Sequence, residues 1–240
     1  MNITKAVLGA IAGSAFFAGS ALLAGSASAA AMLNWDQGGG RSPGGSVVFD
    51  GTKIVGSNIG FDLMNASGTT NDGTYHCSNA GGTVTLGTTR CLLSFTSGPL
   101  STIAGSTYIF GSGGTISMTG YLTTATPGNT APVIAGSPLV LSGTVMDYTI
   151  SLIGGSGVAA GVGIDVKDLS LSNFFGTGVN FDFTMSQLAI SGCTTASPAG
   201  FSCGVSNADF QNMTGVPEPG SLALLGLGLV GLGVSRRRKA

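Results

Sequence analysis

Charge is what this sequence has least of. Only 8 % of its 240 residues are Asp, Glu, Lys or Arg, His76 is the single histidine, and Glu218 is the single glutamate. Soluble domains usually carry about a quarter charged residues. The polar surface here must therefore come from Ser, Thr, Asn and the 42 glycines. Catalysis is short of groups for the same reason. A Ser-His-Asp triad would have to use His76, and no GxSxG turn is present. A Cys77/His76 nucleophile pair competes with the simpler reading of Cys77 as half of a disulfide. A glycosidase pair would need two aspartates. Between Met32 and Gly215 nine acids (Asp36, Asp50, Asp62, Asp72, Asp147, Asp165, Asp168, Asp182, Asp209) face four bases (Arg41, Lys53, Arg90, Lys167). Phosphate binding needs the opposite balance, which excludes nucleic acid as a partner. The chain reads as a non-enzyme without cofactor or metal.

What is present sits first at the two ends. Residues 1–31 have the form of a secretory signal peptide. Lys5 supplies the positive start, Ala6 to Leu23 an apolar run, and the Ala/Ser stretch that follows offers small-x-small sites, with cleavage by signal peptidase expected at Ala29 or Ala31. Four cysteines follow: Cys77, Cys91, Cys193 and Cys203. An even number outside the cytosol favours disulfides over zinc, for which neither pair has the spacing. Of three connectivities, Cys77–Cys91 with Cys193–Cys203 is preferred because each closes a short loop. In the chain-entropy model a loop of this size stabilises by about 3 kcal/mol.

The far end reads VPEPGSLALLGLGLVGLGVSRRRKA from Val216 to Ala240. Pro217 and Pro219 hold the backbone extended around Glu218, a shape suited to a processing enzyme's cleft. Leu222 to Val234 is apolar, and Arg236, Arg237, Arg238 and Lys239 form a basic stop that stays cytoplasmic. As a helix, Pro219 to Ser235 would reach roughly 25 Å against a hydrocarbon core near 30 Å. Its glycines weaken it further. Such a helix suits a transient anchor in the inner membrane better than a durable one. The GxGxxG match at Gly226–Gly231 has no following βαβ unit and is discarded. The three parts in this order resemble the PEP-CTERM sorting domain of Gram-negative bacteria. The resemblance implies recognition by an exosortase, with Pro217, Glu218 and Pro219 as the recognition residues and the thiol chemistry on the partner. It also implies a place at the cell surface or in the extracellular matrix, with exopolysaccharide and biofilm.

The body between the ends alternates apolar and polar residues with period two. Val179, Phe181, Phe183 and Met185 form one such row and Met146, Tyr148, Ile150 and Leu152 another. Val162, Ile164 and Val166 continue to Leu169 and Leu171 with a phase slip at Lys167-Asp168, read as a bulge. Gly161 to Asp165 resembles one calcium-binding β-roll repeat, but a single copy cannot stack. No amphipathic helix stands out between the tails. The expectation is an all-β protein, a two-sheet sandwich of jelly-roll type, between a signal helix and a C-terminal transmembrane helix. Its divisions are a signal peptide at 1–31, a Gly-rich segment at 32–46, the body at 47–203, a linker at 204–215 and the sorting tail at 216–240. A structural or adhesive role leads. The alternative is a carbohydrate-binding module presenting Trp35, Tyr75 and Tyr121 to sugar rings.

Overall fold

Short rows of alternating residues between glycine turns fold as strands. The computed structural model describes residues 30–37, 43–78, 90–123, 139–196 and 200–214. In order these are β1 (Met32–Asp36), β2 (Ser46–Phe49), β3 (Ile54–Phe61), β4 (Leu63–Ser67), β5 (Gly73–Ser78), β6 (Cys91–Thr96), β7 (Leu100–Ala104), β8 (Thr107–Phe110), β9 (Gly114–Thr119), β10 (Tyr121–Thr123), β11 (Leu139–Ile153), β12 (Ser156–Lys167), helix α1 (Leu169–Phe175), β13 (Asn180–Ala196) and β14 (Gly200–Met213). The protein is mostly strand, as its alternation implies. No helix among these residues is long and apolar enough to cross a membrane, and the segments expected as signal and C-terminal helices fall outside them.

The strands do not divide into two sheets. They form one antiparallel sheet in the order β10-β5-β4-β1-β14-β13-β12-β11-β9-β6-β3-β2, and β2 pairs back onto β14. The register shows why. β1 pairs Met32–Trp35 with Met213–Phe210, and β2 pairs Ser46–Phe49 with Gly204–Phe201. Both therefore run along β14 in one line, interrupted by an excursion. β3 and β4 are likewise one line bent at Asp62, and β9 and β10 one line bent at Gly120. β5 and β6 lie between those two lines, with His76 opposite Leu63 and Cys91 opposite Phe61. Four composite strands and β11 to β14 thus make an eight-stranded up-and-down ring closed by hydrogen bonds. The β7–β8 hairpin is attached to β11. Closure pairs β2 back onto β14, while β10 pairs only β5 and β7 only β8 among the described residues.

An eight-stranded ring has an interior that side chains can fill. Trp35, Phe61, Phe110, Tyr148, Phe181 and Phe210 are among those that fill it. Outside, Thr115, Ser142, Thr144, Thr149 and Asp182 are exposed. The same outer face also carries Val158, Val162, Ile164 and Val166, so it is mixed rather than uniformly polar.

Three sequence expectations are corrected. The 32–46 segment and the 204–215 linker belong to the ring through β1 and β14, because Leu33, Trp35, Val205 and Phe210 alternate inward. The slip at Lys167-Asp168 is a strand end. Asp168 caps α1 by accepting from the Ser170 amide at 2.9 Å, and Gly176 ends it at φ 64°. On β12 the inward row is Ala159, Gly161, Gly163, Asp165 and Lys167, whereas Val158, Val162, Ile164 and Val166 face out. Large rings from the neighbouring strands explain this. A Cβ at Gly161 would lie 2.5 Å from the Tyr148 ring, and one at Gly163 would lie 2.1 Å from the Thr144 carbonyl oxygen and 2.5 Å from the Phe183 ring.

Gly163→Ala should cost about 1–3 kcal/mol by overpacking, while Val162→Ala on the outer face should cost about 0.5 kcal/mol or less. Urea denaturation of the two variants measures this. Equal losses would contradict the inverted face.

Candidate functional site

One disulfide lies where a composite strand is broken, and the other joins the two continuous strands β13 and β14. Cys77–Cys91 joins the end of β5 to the start of β6, with Cα atoms 5.1 Å apart. It joins the two halves of that composite strand. Gly120 gives it room, since a Cβ there would lie 2.3 Å from Cys91 Sγ. Beside it Arg90 Nε and Asp62 Oδ1 form an ion pair at 3.1 Å. Cys193–Cys203 ties β13 to β14. Both are the local pairings expected, and no free cysteine remains among the described residues. His76 consequently has no thiol beside it.

The sugar-platform residues do not converge on a surface. Trp35 is fully buried and Tyr75 nearly so. Tyr75 donates its hydroxyl to the Asn71 carbonyl at 2.8 Å and meets the Phe174 and Phe175 rings edge-on. Tyr121 is half-buried on β10. The burial of Trp35 and Tyr75 removes them from any exposed platform.

The strongest polar cluster is inside the ring, and the sequence reading missed it. Asp165 and Lys167 follow the inward phase of β12, Asn212 faces in from β14, and Trp35 from β1. Lys167 Nζ donates to Asp165 Oδ1, and Asn212 Nδ2 donates to Asp165 Oδ2. Trp35 Nε1 donates to Asn212 Oδ1 at 3.0 Å. Lys167 Nζ also sits 4.4 Å from the Phe181 ring centroid. All four residues are 2 % exposed or less. Burial pushes the Lys167 ammonium down to about 8 against the pull of the Asp165 carboxylate, and burial raises Asp165. Along β12 no signal marked it, because the i±2 neighbours of Asp165 and Lys167 are Gly163, each other and the exposed Leu169.

The remaining site residues, Ala29, Pro217, Glu218, Pro219, Arg236, Arg237, Arg238 and Lys239, lie outside the described residues. Ala31 is within them. It is buried, accepts from the Thr214 amide at 2.9 Å and donates its own amide to Thr214 Oγ1 at 2.9 Å.

A closed, disulfide-tied barrel followed at once by a sorting tail defines an exported protein. Residues 215–239 match the family model of the PEP-CTERM protein-sorting motif, and the chain carries that motif. The motif implies processing by an exosortase, and export through a membrane-anchored precursor in a Gram-negative bacterium. No curated protein and no solved structure matches this chain.

Replacing Trp35 with Phe keeps the ring packing but leaves Asn212 Oδ1 buried without its donor. The expected loss is about 1–3 kcal/mol of unfolding free energy. Chemical denaturation should find it, and a neutral result would mean that the carboxamide is satisfied by another group.

Proposed function

We propose that the chain is a non-enzymatic structural or adhesive protein of the cell surface or extracellular matrix, delivered there by exosortase sorting and associated with exopolysaccharide in a biofilm. The observation that carries this reading is the sorting motif, which begins immediately after Thr214, where the barrel ends. Three features support a structural role for the body. The ring interior is filled by large apolar side chains, the outer face mixes Ser and Thr with glycines and exposed Val158, Val162, Ile164 and Val166 and bears few charges, and two disulfides lock the strands. Pro217, Glu218 and Pro219 are the recognition residues, and Arg236 to Lys239 hold the precursor's end in the cytoplasm until the cut.

Released protein should lack Leu222 to Ala240 in a host that has an exosortase, as read from its C-terminal peptide by mass spectrometry. Changing Pro217, Glu218 and Pro219 to Ala should leave the precursor in the inner membrane with the barrel already translocated. Identical released forms from hosts with and without the exosortase would defeat the sorting reading.

The start of the exported chain follows from Ala31. A cut after Ala29 preserves both of its hydrogen bonds to Thr214, whereas a cut after Ala31 removes them. N-terminal mass spectrometry of exported protein should therefore find Ala30 first. A Met32 start would show that the barrel does not need this contact.

A further inference from the structure

The buried cluster holds an amine, a carboxamide and a carboxyl group in one arrangement. The two oxygens of the Asp165 carboxylate are each taken, one by Lys167 Nζ and the other by Asn212 Nδ2. The nucleophile and the amide that it could attack are therefore neighbours on a single side chain. The Trp35 indole N–H points at the carboxamide oxygen from 3.0 Å, where negative charge would develop on attack. Neither side chain of the Lys167–Asp165 pair has measurable contact with solvent, so water does not compete for the carbonyl. From these contacts we propose that Lys167 and Asn212 condense, after folding, to an intramolecular isopeptide bond that ties β12 to β14 across β13.

The chemistry balances without an outside reagent. In the dry interior the proton shared by the pair rests on the carboxyl more readily than in water, because two separated charges are costly there. The depressed lysine and raised aspartate agree with this. Neutral Lys167 Nζ attacks Asn212 Cγ, forming the new C–N bond, and the carbonyl electron pair moves to Oδ1, held by the Trp35 N–H. Asp165 takes a proton from Nζ and delivers one to Nδ2. The Cγ–Nδ2 bond then breaks, the carbonyl re-forms and ammonia leaves. Nothing is oxidised or reduced. Asp165 touches both reacting groups and is the catalytic residue, while Trp35 stabilises the oxyanion. Holding amine and amide side by side replaces the concentration that an ordinary amide lacks, which is how so unreactive a pair can join. The Phe181 ring closes the lysine side of the chamber.

Intact mass spectrometry of the full exported chain, with disulfides reduced, decides the matter. The protein should be lighter than its sequence by one ammonia, and digestion should yield one branched peptide linking Lys167 to Asn212. Asp165→Asn, which keeps the side-chain shape, should restore the full mass, and so should Lys167→Met. Trp35→Phe should still form the bond but more slowly when refolding is followed over time. Folded wild-type protein with both disulfides and its full mass would overturn the proposal. An ammonia loss that persists in Lys167→Met would overturn it equally, because the loss would then lie elsewhere.

Discussion

Everything in this fold depends on β14 having two partners along one side. Its first half carries β2 and its second half carries β1, while β13 runs along the other side. Because both partners belong to the line that begins the barrel, this strand closes the first composite strand onto the last. A strand paired along both sides offers little free edge to recruit other chains. That matters for a protein of very low charge, which has little electrostatic repulsion to keep copies apart.

The composite strands are the second consequence of closure. Each excursion leaves a line and must return to it in register, or every later side chain faces the wrong way. The returns are secured locally. Cys77–Cys91 with the Arg90–Asp62 pair secures one, and the Val205 amide bonded to the Gly45 carbonyl at 3.3 Å marks another. The disulfides are thus register clamps as much as loop constraints. Their positions explain why the local pairings were readable from spacing alone: the two halves of a composite strand, like two strands consecutive in the chain, meet close in sequence and in space.

Strand class was legible for a different reason. Phe181, Phe183 and Met185 alternate with polar residues and do face the core. On β12 the same rule gives the wrong face. Period two fixes alternation but not phase, and the usual tie-breaker is to turn the larger apolar residues inward. Here Tyr148 and Phe183 already occupy the interior beside Gly161 and Gly163, so Val162 and Ile164 are turned out. That choice depends on residues brought together by the register, which no window along β12 contains. It also carries Asp165 and Lys167 inside, so the buried cluster was invisible for the same reason. The linker at 204–215 failed on composition: Gly, Ser and Asn suggested a spacer, but Val205, Ala208, Phe210 and Asn212 are the inward positions.

The place of the cluster gives it a mechanical sense. The sorting tail continues directly from β14, so a pull on the chain beyond Thr214 enters the barrel at Met213 and Asn212. Backbone hydrogen bonds to β13 and β1 meet that load first, and a pull from one end takes them in sequence rather than together. Cys193–Cys203 cannot shield them, because Cys203 lies toward the opposite end of β14. Asn212 is the inward residue nearest the exit, and its partners reach β12 through Asp165 and the start of the chain through Trp35. A tie at this point passes tension to strands on both sides before the β14 ladder opens. For a protein whose exported life begins with its C-terminal end held at a membrane, the end of β14 is where reinforcement has most effect, and it is where the barrel has placed a buried amine, carboxyl and carboxamide in contact.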